Sequence, residues 1–446
     1  MSYDERALIE YVTQQRWYGA KSRGVAHAQV LDSAVLRTQE PQLALALVEV
    51  RYETGAHDLY QLLVSHREGE PELNGLTEDP SLARELVSAM RSGLTVQSDE
   101  GAVEFLHVEG FAGLGRELGN ARTIAAEQSN TSIAFDELIL KAFRRLEAGI
   151  NPELELLRFL SDRAFANVAA LGGWYAYTGG PLNATLGILQ AYVPDAQDGW
   201  ELALDALADD PELFLARVRR LGEVTGDLHT ALGSEQNDPA FAPETPSDEM
   251  LGLLTATVDE EIANVFLSLP EGDERTEPIA GRGEEVREQL RLLTHGGTIG
   301  KAIRIHGDYH LGQTLWSRDD WTIIDFEGEP ARSLAERRRK RSPLRDVAGM
   351  LRSFAYASIA AGLLRGADVP DDWEPRAREQ FLEGYLATVD QSLLPNGPVG
   401  IERLLTVFEL EKAVYELRYE LDNRPDWVGI PVAAIRRLIE SAAPAP

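Results

Sequence analysis

The chain has 446 residues and a formal net charge of −30, and this length predicts two or three domains or lobes. It contains no cysteine, which excludes disulfide bonds, thiolate nucleophiles and cysteine-bound zinc. The acidity argues against nucleic acid and anionic lipid as partners. Because the sequence shows neither a run of about eighteen apolar residues nor a signal-peptide pattern, we expect no membrane span and a cytoplasmic location.

The first predicted unit, residues 1–95, combines a β-hairpin with helices. Its opening helix is expected from Glu5 to Gln15. The β-rich runs Leu43 to Tyr52 and Asp58 to His66 are joined by a short turn, which predicts the hairpin. Pro80 to Ser92 is predicted to be helical.

The second predicted unit, residues 96–193, is rich in strands. A helix is expected to begin at Asn151-Pro152, because Asn caps helices and Pro suits their first turn. The predicted strands are Thr131 to Phe135, Leu138 to Phe143, Trp174 to Tyr177 and Thr185 to Val193.

The third predicted unit, residues 194–446, is mainly helical around one β-rich island, Ile303 to Ile324. The helical patterns are Trp200 to Ala231, Leu344 to Leu364, Pro375 to Asp390 and Ile401 to Leu421. A β-rich lobe followed by a helical lobe with an embedded β island is typical of kinase-like phosphotransferases. We therefore predict an α+β, bilobal, eukaryotic-kinase-like fold with a β-rich N-lobe and a mainly helical C-lobe.

The β island carries the strongest chemical signal. Asp308, in a His-Gly-Asp motif, and Asp325, in an Ile-Asp-Phe motif, each follow an apolar run, and a short hairpin separates them. Phosphoryl transfer needs one carboxylate that orients the attacking hydroxyl and accepts its proton, and another that holds Mg²⁺ on the phosphates. We assign these roles to Asp308 and Asp325, and we expect Gln313 to be a second Mg²⁺ ligand. The alternative is that these Asp residues only form turns at strand ends.

A lysine that binds the phosphates of ATP, and a helix glutamate that holds it, are also expected in this fold. Lys141 lies in a predicted strand, and Glu153 and Glu155 lie at the start of the following helix. The sequence does not fix the rotation of that helix. Of the two glutamates we prefer Glu155.

A polar turn ahead of Lys141 replaces the glycine-rich loop of protein kinases. Its Ser, Asn and Thr residues offer hydroxyl and backbone N–H donors to phosphate. The residues predicted to bind ATP there are Ser129, Asn130, Thr131 and Ser132. After the last predicted strand, a connector with Gln190 and Tyr192 would offer backbone groups to adenine. His229, at a predicted helix end, is interpreted as a packing or capping residue.

These motifs together resemble actinobacterial-type maltokinases, relatives of the aminoglycoside phosphotransferases. The segments that carry the resemblance are Gln15 to Lys21, Glu127 to Ser132, His306 to Gln313, Asp325 to Pro330, Ala335 to Asp346, Glu411 to Glu416 and Asn423 to Trp427. The resemblance implies an N-terminal cap subdomain on the bilobal kinase, ATP and Mg²⁺ as cofactors, and conversion of maltose to maltose 1-phosphate for α-glucan and glycogen synthesis. It also implies that Asp346 braces the catalytic loop.

Two other functions remain open. Actinobacterial glucosamine kinases resemble maltokinases over much of the chain, so the acceptor could be glucosamine or another small sugar. A catalytically silent kinase fold that serves as a scaffold is a third hypothesis, against which Lys141, Asp308 and Asp325 argue. We expect a sugar and ATP as small-molecule partners, an association with a trehalose-processing enzyme, and a monomer or small homo-oligomer.

The resemblance suggests that the last long predicted helix lines the acceptor pocket. Lys412, Glu416 and Tyr419 share one face of it, and we predict that they bind the sugar; the alternative is an ordinary charged surface. The basic run Arg337 to Arg341 is either a site for phosphate or a partner, or a solvated or acid-paired segment.

Overall fold

The computed structural model describes residues 4–115, 117–124, 130–294 and 300–441. The chain divides into a first unit, which ends at Asp195, and a second unit, which begins at Ala196. Strands dominate the first unit and helices the second. This is the distribution of secondary structure that the sequence predicts.

The first unit begins with a helix and continues mainly as strands. In chain order its elements are α1 (Glu5–Gln14), β1 (Val25–Arg37), β2 (Gln42–Tyr52), β3 (His57–Arg67), β4 (Glu70–Glu72), α2 (Gly75–Glu78), α3 (Ala83–Ser92), β5 (Thr95–Gln97), β6 (Gly101–His107), β7 (Arg122–Ile124), β8 (Asn130–Ala134), β9 (Leu138–Phe143), β10 (Arg145–Leu146), α4 (Pro152–Asp162), β11 (Leu171–Gly179) and β12 (Asn183–Ala191). As predicted, α4 begins after Asn151, whose side chain accepts a hydrogen bond from the amide of Glu153.

These strands form two antiparallel sheets. In the first sheet β1, β2, β3 and β10 lie side by side, and β4 pairs with β3. The β2–β3 ladder, which places Gln42 opposite His66 and Arg51 opposite His57, confirms the predicted hairpin. In the second sheet the order is β5-β6-β11-β12-β9-β8-β7. The strand that carries Lys141 therefore lies inside this sheet, with a neighbour on each side.

The two sheets share one hydrophobic core. Its buried residues include Leu45 and Leu63 from the first sheet, Leu86 from α3, and Ile133 and Leu140 from the second sheet. Apolar side chains of this kind stabilise a fold when they are removed from water. The segment that we predict as a cap thus packs against the strands that follow it, and its boundary at residue 95 stays a prediction.

The second unit surrounds a short hairpin with helices. Its elements are β13 (Gln197–Asp198), α5 (Gly199–Asp209), α6 (Pro211–Leu232), α7 (Asp248–Leu267), α8 (Gly283–Thr294), β14 (Thr314–Ser317), β15 (Asp320–Ile323), α9 (Leu334–Arg337), α10 (Leu344–Arg365), α11 (Trp373–Thr388), α12 (Gly397–Asn423) and α13 (Gly429–Ser441). The sequence patterns predict α10, α11 and α12, whereas α7, α8 and α13 were not predicted.

The long helix expected from Trp200 to Ala231 is wrong, because the structure divides it. α5 ends at Asp209 and α6 begins at Pro211, with Asp210 between them. Proline lacks a backbone N–H and disfavours helical geometry in the residue before it, so it starts a helix more readily than it continues one. The Asp210 side chain accepts a hydrogen bond from the Leu213 amide at 3.3 Å and so caps α6.

The helix α10 has the length and the mean hydropathy, 1.4, of a candidate membrane span. However, 61% of that apolar window is buried inside the protein, where α10 packs against α5, α11 and α12. We interpret α10 as the central helix of the second unit's core.

Candidate active site

The hairpin β14–β15 places the two predicted catalytic segments in the second unit side by side. Its ladder runs from Thr314 opposite Ile323 to Ser317 opposite Asp320. One residue beyond the ladder, the amide of Ile324 donates to the carbonyl of Gln313 at 3.0 Å. The main chain therefore joins Gln313 to the residue just before Asp325, as the predicted pair of Mg²⁺ ligands requires.

The buried carboxylate of Asp346, on α10, accepts hydrogen bonds from the backbone of the His-Gly-Asp segment. Oδ2 of Asp346 accepts from the amide of His306 at 2.8 Å, and Oδ1 accepts from the amide of Gly307 at 2.9 Å. Burial, the largest influence, would raise the pKa of Asp346, but the hydrogen bonds from His229 and from the backbone outweigh it and lower the pKa. Asp346 is thus a charged brace for this loop.

His229 completes that brace. Its Nε2 lies 3.2 Å from Oδ2 of Asp346, and its Nδ1 lies 3.1 Å from the hydroxyl of Tyr385 on α11. The ring is fully buried. The sequence analysis placed His229 in a packing role, and the structure adds that it links α6 and α11 to the Asp346 carboxylate that holds the backbone of His306 and Gly307.

Each of the two aspartate-bearing segments contains one residue with a positive φ angle. Gly307 has φ +86°, a region that residues with a side chain rarely adopt. Asp325 has φ +63°, which Asp tolerates better than most residues because its short polar side chain bonds locally. A side chain of the first segment contacts the second segment, since Nε2 of His306 lies 2.9 Å from the carbonyl oxygen of Ile324. The two aspartate-bearing segments are therefore held together by the ring of His306.

Lys412, on α12, lies beside Asp308. Its Nζ is 3.7 Å from Oδ1 of Asp308. Burial, the largest influence, would lower the pKa of Lys412, but the carboxylates of Asp308, Glu416 and Glu329 raise it. A protonated ammonium group therefore stands next to the proposed base.

The other two residues predicted to bind sugar on α12 have different surroundings. Glu416 is buried, and its Oε2 lies 2.6 Å from Nη2 of Arg352. This ion pair occupies the carboxylate, which makes Glu416 a structural partner of α10 in this structure. Tyr419 is 45% exposed, with the guanidinium of Arg424 lying 5.3 Å from the centre of its ring.

In the first unit, Lys141 pairs with Glu153. Nζ of Lys141 lies 2.9 Å from Oε2 of Glu153, and both side chains are buried. The preference for Glu155 as this partner was wrong. Residues two apart on a helix point about 200° from each other, and α4 turns Glu153 towards the sheet while Glu155 is only partly buried.

The predicted phosphate-binding turn lies partly in a strand. Ser129 is outside the described residues, whereas Asn130, Thr131 and Ser132 belong to β8 and are buried. Ser132 lies opposite Lys141 on β9. The hydroxyl of Thr131 accepts a hydrogen bond from Nε of Arg144 at 2.8 Å. The phosphate-binding role of these residues stays a prediction.

The predicted adenine connector begins inside the sheet. Gln190 is in β12 opposite Ile139. The amide of Tyr192 donates to the carbonyl of Glu137 at 2.8 Å, and its hydroxyl accepts from Arg122 at 2.7 Å. That amide is therefore already bonded in this structure, and the adenine-binding role of Gln190 and Tyr192 stays a prediction.

Oxygen ligands suited to Mg²⁺ are present in the second unit. Mg²⁺ is bound in proteins by one or two carboxylates together with substrate phosphates and water. The carboxylate of Asp325 and the side-chain amide oxygen of Gln313 supply such ligands on adjacent segments. Their chemistry fits the predicted metal.

The fold and this arrangement of carboxylates define a kinase-like phosphotransferase. The sequence profile described as "Phosphotransferase enzyme family" matches residues 120–395, more than half of the chain. The chain therefore belongs to the phosphotransferase enzyme family. A second profile, described as "Maltokinase N-terminal cap domain", matches residues 11–95. These matches confirm the family resemblance found in the sequence.

Two curated relatives are glucosamine kinases. The protein from Streptacidiphilus jiangxiensis is 27% identical over 350 residues, which cover 74% of this chain and 76% of the relative. The protein from Mycolicibacterium smegmatis is 27% identical over 336 residues, covering 72% and 79%. A solved glucosamine kinase in complex with glucosamine, ADP and inorganic phosphate aligns over 96% of this chain and 98% of its own, with a TM-score of 0.71 and 21% identity.

These comparisons confirm the predicted fold and reaction class. The fold is α+β and kinase-like, with an N-terminal cap domain. The enzyme is a kinase that phosphorylates a hydroxyl group and uses ATP with Mg²⁺. Its substrates are a nucleotide and a small sugar-like acceptor.

The sequence analysis did not assign a role to several charged residues that lie near Asp308. A cavity in the second unit is lined by Asp308 and Lys412, and also by Arg341, Arg345 and Glu411. The basic run that includes Arg341 was the available signal. Its position against the cavity could not be inferred, because loop residues have no periodicity from which to derive the direction of a side chain.

Proposed function

We propose that this protein phosphorylates maltose with ATP and forms maltose 1-phosphate for α-glucan and glycogen synthesis. The observation that favours a neutral sugar over an amino sugar is the position of Lys412, whose ammonium group lies 3.7 Å from Asp308. A glucosamine ammonium group brought to Asp308 would be repelled by Lys412, since like charges in a partly buried site destabilise binding. The maltokinase-type cap profile over residues 11–95 supports the same choice.

The chemistry follows from the position of Asp308. Its carboxylate accepts a hydrogen bond from the attacking hydroxyl and takes the proton as the new P–O bond forms. The bond between the γ-phosphorus and the bridging oxygen breaks at the same time, and ADP leaves. The ammonium group of Lys412 lies 3.7 Å from Oδ1 of Asp308, and Asp346 holds the backbone of Gly307, the residue before Asp308.

The remaining predicted residues hold the nucleotide and the metal. Asp325 and Gln313 would bind Mg²⁺, and Lys141, oriented by Glu153, would contact the phosphates. Bound Mg²⁺ offsets the negative charge that develops on the transferred group. Asn130 and Ser132 would bind ATP from β8.

A glucosamine kinase is the second candidate. The observation in its favour is that both curated relatives described above are glucosamine kinases. Their 27% identity leaves room for a change of acceptor. The charge beside Asp308 is the feature that separates the two candidates.

The test is ADP release from the purified protein with ATP, Mg²⁺ and maltose, glucose or glucosamine. We expect turnover on maltose, little on glucosamine, and none in Asp308→Asn.

Lys412→Met, which keeps the length of the side chain and removes its charge, should shift kcat/KM towards glucosamine by about tenfold relative to maltose. A wild-type preference for glucosamine would overturn the proposal in favour of the second candidate. Binding of ATP without turnover on any sugar would favour the scaffold.

The setting of the reaction is part of this proposal. We place it in the cytoplasm, where an enzyme without cysteine has no need of an oxidising compartment. The proposal also includes association with a trehalose-processing enzyme, which co-purification of the two proteins would test.

A further inference from the structure

The loop that carries Asp308 is attached to α10 on both sides of that residue. Asp346 holds the two amides that precede Asp308. Two turns further along α10, the hydroxyl oxygen of Ser353 accepts a hydrogen bond from the amide of Leu311 at 3.1 Å. These bonds fix the backbone before and after the pair Asp308-Tyr309, and each of them ends on a backbone amide of the loop.

The backbone of α10 also packs directly against this loop. A Cβ added to Gly349 would lie 2.6 Å from the carbonyl oxygen of Tyr309, which is closer than a carbon atom approaches an oxygen to which it is not bonded. Helix and loop therefore meet without a gap at the residue that follows Asp308. The main chain of Tyr309 has no room to shift towards α10.

The side chain of Tyr309 attaches the loop to a second helix, α6. Its hydroxyl oxygen lies 2.9 Å from Oγ1 of Thr225, and both side chains are buried. The hydroxyl of Thr225 donates to the carbonyl of Leu221 at 2.7 Å. Because a hydroxyl has only one proton to donate, the hydroxyl of Tyr309 is the donor to Thr225. Burial raises the pKa of Tyr309, so the phenol keeps that proton at neutral pH.

Thr225 and His229 lie four residues apart on α6 and therefore share one face of that helix. His229 contacts the carboxylate of Asp346, and Thr225 accepts from the side chain of Tyr309. One face of α6 thus reaches the loop by two separate routes. The route through Tyr309 ends at the residue directly after the proposed base, Asp308.

We propose that Thr225 is a positioning residue for phosphoryl transfer, which acts through the hydroxyl of Tyr309 and holds the carboxylate of Asp308 where it meets the attacking hydroxyl. The proposal rests on the proposed role of Asp308 as base, but not on which sugar is the acceptor. The physical reason is the geometry of the reaction, since a displacement of about 1 Å of a reacting group costs about a hundredfold in rate. Binding of the substrates depends on other contacts and is not reduced by the same displacement.

The experiment removes the hydrogen bond from either side. Tyr309→Phe removes only the hydroxyl, and Thr225→Val replaces the acceptor with a methyl group of similar size. We expect each to lower kcat by about tenfold, while KM for ATP and for the sugar changes by less than about twofold, because the base is displaced and the binding contacts remain. Single-turnover kinetics of the full chain with ATP, Mg²⁺ and maltose, or glucosamine if the wild type prefers it, measure the chemical step.

Three further variants separate positioning from a general loss of stability. The double variant Tyr309→Phe/Thr225→Val should lower kcat no further than either substitution alone, since both remove the same bond. Thr225→Ser, which retains a hydroxyl, should recover most of the lost rate. Tyr177→Phe is the matched control, because it removes a buried hydroxyl that donates to Asp32 in the first unit. It should lower the free energy of unfolding and leave kcat unchanged.

Thermal unfolding of each variant shows whether the bond does more than stabilise the fold. A lower Tm with wild-type kcat in Tyr309→Phe would overturn the proposal, and so would a higher KM for the sugar at constant kcat. Losses that multiply in the double variant would mean that the two hydroxyls act independently, which also contradicts it. If Tyr309→Phe does not fold, the comparison of Thr225→Val with Thr225→Ser decides the question.

The same measurements distinguish this proposal from the proposed function. Full activity of Asp308→Asn would count against the role of Asp308 and so against both. An inactive Asp308→Asn together with unchanged kcat in Tyr309→Phe and Thr225→Val would leave the proposed function standing and reject the positioning role alone.

Discussion

Nζ of Lys141 lies 2.9 Å from Oε2 of Glu153, and neither side chain has appreciable contact with solvent. Removing one charge of a buried pair leaves the other uncompensated, at a cost of about 3 kcal/mol. We therefore expect Glu153→Gln to lower the free energy of unfolding by about that amount and to raise KM for ATP. Urea unfolding and steady-state kinetics at varied ATP measure the two effects.

The matched control for that substitution is two residues further along the same helix. Glu155→Gln makes the same chemical change at a partly buried position. It should lower stability less and should leave KM for ATP closer to wild type. If Glu155→Gln had the larger effect on ATP, the pairing of Lys141 with Glu153 would not be the one that matters for nucleotide binding.

The hydrogen bonds from the amides of His306 and Gly307 to Asp346 predict a second effect. Asp346→Asn replaces one oxygen with an NH₂ group, so that a donor faces either the amide of His306 or that of Gly307, both of which now donate to Asp346. An unsatisfied buried donor costs about 1–3 kcal/mol. We expect a loss of stability in this range and a fall in kcat, because the loop that carries Asp308 is no longer fixed. Calorimetric unfolding and single-turnover kinetics are the measurements.

The same variant has a defined dependence on pH. The pKa of Asp346 is lowered from its ordinary value of 3.8 in the folded protein. Its contribution to stability is therefore present above that value and is lost as the pH falls through the folded pKa. The difference in unfolding free energy between wild type and Asp346→Asn should be constant near neutral pH and should shrink in acid below the ordinary pKa. A difference that grew on acidification would contradict the assigned ionisation.

Arg144 links the predicted cap to the strand that precedes Lys141. Its Nε donates to Oγ1 of Thr131 at 2.8 Å, and its Nη1 donates to the carbonyl of Gln61 at 3.3 Å. The guanidinium lies 5.7 Å from the ring centre of Trp17, and burial lowers the pKa of Arg144. The cap residues Trp17 and Gln61 and the β8 residue Thr131 therefore meet at one buried cation.

That convergence is testable by a double-mutant cycle. Thr131→Val should cost about 1 kcal/mol in wild type, because the donor of Arg144 loses its acceptor. In an Arg144→Lys background, where the planar fork is already absent, the same substitution should cost much less. Equal costs in the two backgrounds would mean that the hydrogen bond contributes nothing to stability.

The elements that the sequence predicts well are long and rich in apolar residues. Strands β2 and β3 are nearly continuous buried runs on either side of a short turn, and the helices α10 and α12 are long segments with many buried apolar residues. Strand β1 was missed because its burial pattern is irregular and its register with β2 shifts at several points. Each shift interrupts the alternation by which a strand is recognised.

Some residues of the candidate site could be predicted from the sequence, and others could not. Asp308, Gln313 and Asp325 lie in short motifs of fixed spacing, so the sequence predicts their proximity through the hairpin. The choice between Glu153 and Glu155 depends on the rotation of α4 against the sheet, which is set by packing with residues distant in the chain. The direction of the Arg341 side chain depends on a backbone pairing with Ile303 that no local pattern indicates.

Helices α6 and α11 approach so closely that a glycine is required between them. A Cβ added to Gly384 of α11 would lie 2.1 Å from the carbonyl oxygen of Arg219 on α6, a distance that forces the backbones apart. We expect Gly384→Ala to lower the free energy of unfolding by about 2 kcal/mol, the usual cost of overpacking a well-filled core. Gly252→Ala is the matched control, because nothing lies within 4 Å of its added Cβ, and alanine in an exposed helix should stabilise by about 0.5–1 kcal/mol. Chemical denaturation of both variants measures the two changes. If both substitutions stabilised the protein, the close approach of α6 and α11 would be wrong, since a wider gap would accept the methyl group.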